Sequence, residues 1–568
     1  MDVGFVMAVF EWSFFAELGL IVLIATFFGI IFRHLKQPTI LAYIFTGIVL
    51  GSSVLNVLQF NEFITVFSEL GIAFLLFLVG LNLDLRVLRE IGKPSILVGA
   101  GQIIFTSFLG FIISNFMGFG LLEAIYIAIA LSFSSTIIIV KLLGDKKELN
   151  SLYGKISIGV LLLQDFIAIL VLLFISSLGE GTSISQIAID FIVKGLAFFA
   201  VSFFVAKFLL TKMFDKSAES QELLFLSAIS WCMLLTVFSK FLGLSFEIGA
   251  FVAGVSLASI PYSFEVSGKI KYLRDFFLVL FFVSLGSTIV VTSFNQVLVQ
   301  ALILSALVLI GNPLIVMVLM QFLGYRSKTS FLVGLTIAQI SEFSLIVIAL
   351  GLKVGHISSE IVSVITLTAV ITITISTYYI IYSQKLYSLF GGVLKKLQRS
   401  NLMDELPEKS PGKKINLIVV GFGKAGRIIF EALKIDKREV LLVDFDPFVI
   451  KELRSRGFNA LYGDATDQEV LDTLMDFTPH MIVSTSENLA TDIELLKYVK
   501  GKSKLPVIVL ARDTEDAKKL YNHKADLVLV PELISGKTMS DHLKVIMDNP
   551  SEIEFLKEIS LIEIERYS

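Results

Sequence analysis

Gly159-Val-Leu-Leu-Leu-Gln-Asp-Phe-Ile-Ala-Ile-Leu170 is the stretch on which the reading of this chain turns. A carboxylic acid, Asp165, and an amide, Gln164, stand inside an apolar run from Ile156 to Ser177, about nine residues from its nearer end. About 20 apolar residues cross the hydrocarbon core of a bilayer, so Asp165 is expected near the midplane. An acid costs free energy there and marks a functional position by default. The stretch therefore predicts a membrane helix whose carboxyl group handles something, and Gln164 offers a neutral oxygen ligand beside it.

Runs of the same kind recur on both sides. Thirteen are legible, from Phe14–Phe32 to Ile361–Tyr382; the fifth is Leu121–Leu143, the seventh Ile187–Leu210 and the ninth Ile248–Ile260. The tenth is Phe276–Val291, the eleventh Val297–Phe322 and the twelfth Phe331–Leu352. The ninth is too short to cross upright and is expected to begin earlier, near Leu244. With the N-terminus outside, alternate loops carry Arg33 and Lys36, then Arg86, Arg89 and Lys93, then Lys146, Lys147 and Lys155, and later Lys212 and Lys216, Lys269, Lys271 and Arg274, and Arg326 and Lys328. The opposite loops hold only Lys240 and Lys353. That alternation is the positive-inside pattern of a multi-pass membrane protein with a cytoplasmic C-terminal domain.

Composition agrees. Of 568 residues, 55% are hydrophobic and 17% charged, and the charges are sparse before about Ile381 and frequent from Lys385. The division expected is a membrane domain over 1–384, a linker over 385–413 and a soluble domain over 414–568. A net charge of -3 argues against a nucleic-acid partner. The single cysteine, Cys232, permits no internal disulfide and no cysteine-based metal site. Glu11 and Glu17 flank or enter the first run, which reads as a retained helix rather than a signal peptide.

Two further runs are polar at mid-depth. The fifth contains Leu131-Ser-Phe-Ser-Ser-Thr136 and the twelfth contains Ala338-Gln-Ile-Ser-Glu342. Such stretches suit helices that unwind inside the membrane and present carbonyls and half-helix ends to an ion path. Ser134, Ser135, Thr136, Gln339 and Ser341 are the candidates there. Their runs are seven apart, an odd number, which fits inverted repeats with crossed broken helices. Glu69 and Glu247 are expected near helix ends in interfacial water. Glu342 is expected to offset half-helix dipoles or pair with a basic loop residue.

Beyond the linker, short β-branched runs alternate with helical ones. Ile415–Val420, Val440–Val443, Ala460–Tyr462, Met481–Ser484, Pro506–Leu510 and Leu527–Val530 predict a doubly wound parallel sheet. Gly421-Phe422-Gly423-Lys424-Ala425-Gly426 follows the first strand and opens a helix, and Asp444 ends the second strand. In that context G-x-G-x-x-G cradles phosphates at a helix N-terminus while the acid takes ribose hydroxyls. Asp444 favours NAD(H), AMP or ATP over NADP(H). Asp464 and Ala465, in Gly463-Asp-Ala-Thr466, are candidates for the adenine side. No second soluble domain for a substrate is expected, and His480, His523 and His542 suggest no hydride-transfer site. The domain reads as a nucleotide sensor, not an enzyme.

Taken together, Leu75-Leu-Phe-Leu-Val-Gly-Leu-Asn-Leu-Asp84, Leu163-Gln-Asp165, Gly249-Ala-Phe-Val-Ala-Gly254, Leu273-Arg-Asp-Phe-Phe277, Phe281-Phe-Val-Ser-Leu-Gly286 and Ala338-Gln-Ile-Ser-Glu-Phe343 resemble one family. It is the CPA2 group of monovalent cation:proton antiporters, in its Kef-type form with a C-terminal RCK (TrkA-N) domain. The resemblance implies that Asp165 is the carrier carboxylate and that its Gln-Asp pair goes with electroneutral, usually potassium-handling exchange. It also implies a homodimer gated through the RCK domain by nucleotide; residues for the glutathione gating of Kef relatives are not located. One carboxylate holding either a proton or a cation enforces one-for-one exchange. Many relatives carry a lysine where this chain has Asn312, in Ile310-Gly-Asn-Pro-Leu314. Asp165 therefore lacks that ionic partner; the cation itself can replace the lysine, with Asn312 as an added ligand, and the alternative functions are a nucleotide-gated cation channel and a Na+:proton antiporter.

Overall fold

The computed structural model describes all residues except 1–13, 52, 53, 56, 58–61, 83–92, 147, 150, 177–197, 206–210, 218, 219, 259, 290–293, 397–414, 434, 435, 438, 445, 464, 466, 467, 487 and 568. It divides into two compact units, one formed by nearly all of residues 1–397 and the other by Gln398–Ser568. Asp84, Asp464 and most of the seventh apolar run lie outside the described residues.

The first unit is all helix. Its elements are α1 (Phe14–His34), α2 (Thr39–Leu50), α3 (Glu62–Leu81), α4 (Lys93–Phe116), α5 (Leu121–Ser132), α6 (Thr136–Asp145), α7 (Leu152–Ser176), α8 (Thr211–Ser217) and α9 (Gln221–Phe241). They continue with α10 (Phe246–Leu257), α11 (Ser263–Ser287), α12 (Phe294–Ala306), α13 (Asn312–Phe322), α14 (Ser327–Thr336), α15 (Glu342–Lys353), α16 (Ser359–Ile381) and α17 (Ser383–Lys396). Among the described residues, seven helical stretches are long and apolar enough to cross a membrane, counting α5 with α6 and α12 with α13 as single spans. The ninth run does begin earlier than its apolar residues suggest, at Phe246, because the Ser245 hydroxyl caps α10 by accepting from Ile248 N.

One boundary differs from expectation. Lys269, Lys271 and Arg274, assigned to a loop, lie in the first half of α11. Long basic side chains form helix readily, so a span continues past the apolar limit. In the eleventh run Pro313 causes no break. A π-turn over Leu307–Gly311 widens the spiral immediately before it, and Pro313 then occupies the first turn of α13. Proline lacks an N–H and its ring collides with the carbonyl four residues back, so the extra residue lets the helix run through.

Close backbone packing joins the spans. A Cβ at Gly254 of α10 would lie 2.1 Å from the Phe77 carbonyl oxygen of α3, and one at Gly286 of α11 2.1 Å from that of Ile44 in α2. Those glycines let helices touch backbone to backbone, which apolar solvent alone does not drive.

The second unit is a six-stranded parallel sheet in the order β3-β2-β1-β4-β5-β6. Its strands are β1 (Leu417–Val420), β2 (Val440–Asp444), β3 (Asn459–Tyr462), β4 (Met481–Ser484), β5 (Val507–Leu510) and β6 (Leu527–Leu529). The helices α18 (Lys424–Leu433), α19 (Pro447–Ser455), α20 (Gln468–Asp476), α21 (Leu489–Lys502) and α22 (Thr514–Asn522) connect them. The chain order reverses between β1 and β4, which makes their carboxyl ends the switch point where ligands of such sheets bind. A hairpin of α23 (Pro531–Asp548) and α24 (Glu552–Tyr567) follows.

Candidate functional sites

The fifth and twelfth runs are both interrupted, and the interruptions meet. Between α5 and α6 the backbone is extended at Phe133 and at Ser135, and between α14 and α15 it is extended again at Ser341. Serine hydroxyls compete with the helical ladder, which explains why these sequences unwind. Each second half is then restarted by a serine cap. Ser135 Oγ accepts from Ile138 N at 3.4 Å, and Ser341 Oγ accepts from Phe343 N at 3.1 Å.

Direct bonds tie one interruption to the other. Ser134 Oγ donates to the Ile337 carbonyl at 3.1 Å, Gln339 Nε2 donates to the Ser135 carbonyl at 3.4 Å, and Ser135 Oγ donates to Glu342 Oε2 at 2.8 Å. Ser376 of α16 steadies Gln339 by donating to its Oε1 at 2.7 Å. Ser134, Ser135, Gln339, Ser341 and Glu342 are all buried. Glu342 is therefore paired with a hydroxyl on the opposite broken helix, not with a basic loop residue.

Asp165 faces this crossing from α7. Its Oδ2 accepts from Thr136 Oγ1 at 2.7 Å, and the residue is half-buried. Thr136 is the first residue of α6, so the carboxylate lies at a helix N-terminus, where partial positive charge from free N–H groups favours an anion. The arrangement can hold a negative charge ready for a proton or a small cation.

Gln164 serves the unwound backbone of the same crossing. Its Oε1 accepts from Ser134 N at 3.0 Å and its Nε2 donates to Gln102 Oε1 at 2.5 Å. Gln102 Nε2 reaches Thr106 Oγ1 at 3.1 Å and the Ser132 carbonyl at 3.2 Å, and Thr106 Oγ1 donates to Asn312 Oδ1 at 2.7 Å. Gln164 thus spends its oxygen on the unwound backbone, and Asn312 joins it through α4 instead of standing alone. Asn312 Nδ2 is buried with no hydrogen-bond partner. Sequence reading missed Gln102 and Thr106; their spacing of four, which puts both on one face of α4, was the available signal.

Glu69 and Glu247 stand apart from the crossing. Glu69 pairs with Lys353 at 2.5 Å, and Glu247 is buried in the first turn of α10 instead of lying in interfacial water. The Ser245 cap draws that turn inward.

In the soluble unit, Gly421 adopts φ +86°, a left-handed conformation that favours glycine. A Cβ at Gly426 would meet the Gly421 carbonyl at 2.6 Å, whereas one at Gly423 would meet nothing within 4 Å. The middle glycine therefore leaves room for a phosphate, and the last one allows α18 to pack against the turn. Asp444 Oδ2 accepts from Phe422 N at 2.7 Å and its Oδ1 from Asp446 N at 2.9 Å, so the acid is braced at the rim of the loop. Lys424 and Ala425 open α18, and Ala465 is buried after β3. These residues fit a dinucleotide or adenine nucleotide by their cradle, its open middle and its acid.

Comparison with known proteins follows the same division. The model for the transmembrane sodium/hydrogen exchanger matches residues 20–381, and that for the TrkA-N domain matches residues 417–531. A putative K(+) efflux antiporter KefB of Alkalimonas amylolytica is 25% identical over 92% of this chain and 80% of its own. The putative cation/proton antiporter YbaL of Escherichia coli is 24% identical over 92% of this chain and 95% of its own. The sodium proton antiporter MjNhaP1 of Methanocaldococcus jannaschii shares the fold of the membrane unit, with TM-score 0.50 and 16% identity over 68% of this chain and 99% of that one.

Proposed function

The chain belongs to the sodium/hydrogen exchanger family, and on that premise we propose that it exchanges potassium for protons one for one, under nucleotide control from its TrkA-N domain. The observation that carries the proposal is the half-buried carboxylate Asp165, set against Thr136 at the crossing of two broken helices, where the second carboxyl group described, Glu342, is held by Ser135. A lone carboxyl group binds a proton or a monovalent cation, never both, and each exchange moves no net charge. Potassium is preferred to sodium because the full-length relatives named for a cation are named for K+ efflux.

In this reading Asp165 alternates between its two ligands while Thr136 and the carbonyls of the crossing supply neutral oxygens. Gln164 acts as a positioning residue, because its oxygen already serves Ser134. The nucleotide, NAD(H) or an adenine nucleotide, rests its phosphates over Gly421–Gly426 and its ribose on Asp444. Exposed Leu533, Met539, Leu543, Met547, Ile553 and Phe555 on the α23–α24 hairpin support a homodimer formed through the soluble units. The loop charges support a cytoplasmic soluble unit, and the bacterial relatives support placement in a prokaryotic inner membrane.

The test uses proteoliposomes with an imposed pH gradient, a lumenal pH dye and an ionophore clamping the voltage. Potassium should dissipate the gradient in wild type and fail to do so in Asp165→Asn, with no dependence on voltage. Normal exchange in that variant would remove Asp165 from the mechanism, and potassium flux without proton movement would make the protein a channel.

A further inference from the structure

Among its described residues the nucleotide unit holds one buried acid that the phosphate loop and the ribose contact do not use. Asp492, in the first turn of α21, is 1% exposed. Its Oδ1 accepts from Ser484 Oγ at 2.5 Å and from Ser486 Oγ at 2.9 Å, and its Oδ2 is buried without any hydrogen-bond partner. A charged oxygen left unpaired in the interior is costly, and the usual relief is to take up a proton.

The position matters because of what lies between the two serines. Thr485 donates from its backbone N to the Val420 carbonyl at 2.8 Å and from its hydroxyl to the Gly421 carbonyl at 2.7 Å. Thr485 Oγ1 is also the atom, 3.0 Å away, that a Cβ at Gly426 would meet. Asp492 thus grips residues 484 and 486, and residue 485 grips the first glycine of the phosphate loop. The state of one carboxyl group is two hydrogen bonds from the turn that receives the nucleotide.

The surrounding charges are engaged elsewhere. On α21 itself Lys500 pairs with Asp526 and Lys502 with Asp472 of α20, and on α22 Lys519 pairs with Glu515 and Asp516. Arg427 of α18 faces Glu452 of α19. Glu487, in the same loop, lies outside the described residues. Burial is the main influence on Asp492, opposed by the serine hydroxyls, and it pushes the carboxyl up to about 6.

We propose that Asp492 is a cytosolic proton-binding site that couples the pH of the cytosol to nucleotide binding at Gly421–Gly426. Protonation removes the unpaired charge and favours the arrangement in which Thr485 holds the phosphate loop. Nucleotide therefore binds more tightly as pH falls through 6, and loosens once Asp492 ionises. This rests on the nucleotide reading above and adds a second input to it: an exchanger that carries protons inward would register the acid it delivers.

The experiment measures NADH affinity of the full-length protein in nanodiscs at pH 5.5 and 7.5, for wild type and Asp492→Asn. NADH is chosen because a terminal phosphate, as in AMP, itself titrates near 6. Wild type should bind at least about threefold more tightly at pH 5.5, and Asp492→Asn, a neutral mimic, should bind equally at both; the threefold figure is an order-of-magnitude expectation for one partly linked proton. A wild-type profile retained in Asp492→Asn overturns the proposal. Amide exchange of residues 421–426 and 484–486 without nucleotide, corrected for intrinsic pH dependence, gives a second reading. Protection there should fall from pH 5.5 to 7.5 in wild type alone. If NADH binds at neither pH, the NADH form of the nucleotide reading falls, and the exchange comparison still decides the proton site.

Discussion

A single hydroxyl group separates two ways of holding an ion at the crossing. Thr136 donates to Asp165 Oδ2 and is the only side chain among the described residues recorded in a hydrogen bond with that carboxylate. Hydrogen bonds to charged groups contribute roughly 1.5–3 kcal/mol. Thr136→Val is therefore expected to raise the KM for potassium about tenfold with a smaller change in kcat, measured by exchange in proteoliposomes. Thr136→Ser should restore most of the loss. In the soluble unit, Asp444→Ala removes the brace on Phe422 N as well as the ribose acceptor, and calorimetry on the full-length protein should show nucleotide affinity at least about tenfold weaker. Residue types were legible at both sites; partners were not. Gln164 reads as an ion ligand by adjacency; one step along a helix turns a side chain by about 100°, and its recorded bonds go to the Ser134 backbone and to Gln102.

At the scale of elements, hydropathy marked the apolar helices because it depends only on composition along the chain, though seven of the described stretches, against thirteen runs expected, are long and apolar enough to cross a membrane. Their ends were harder. The Ser245 cap starts α10 ahead of its apolar stretch, and α11 runs far into its basic residues. The interruptions were visible because serines and glutamine at mid-depth have no reason to sit in hydrocarbon unless the ladder opens. The π-turn before Pro313 was not, since a kink and a widened turn have the same sequence signature. The helix contacts at Gly254 and Gly286 carry a direct expectation. Gly254→Val places atoms against the Phe77 carbonyl, and overpacking of this kind costs about 1–3 kcal/mol. Thermal unfolding in detergent should show a clear drop in midpoint.

For the whole molecule, the parallel doubly wound character of the sheet followed from its alternation of strands and helices, whereas its strand order is seen only in the structure. The terminal hairpin did not follow, because an amphipathic helix does not say which surface will cover it. None of the described side chains of α23 is buried. Leu543→Asp combined with Ile553→Asp is expected to convert dimers to monomers or weaken them at least about tenfold, read by mass photometry of the detergent-solubilised protein; unchanged dimers would place the interface elsewhere.

The end of α16 offers a mechanical reading of the chain order. Lys146, just past the second half of the first broken helix, donates to the Ile380 carbonyl at 3.2 Å and to Ser383 Oγ at 2.9 Å. Those two acceptors stand where the membrane unit gives way to α17 and then to the soluble unit. Tension arriving along α17 would act on the same ammonium group that ends the helix beginning at Thr136, a helix ten residues long whose first residue bonds Asp165.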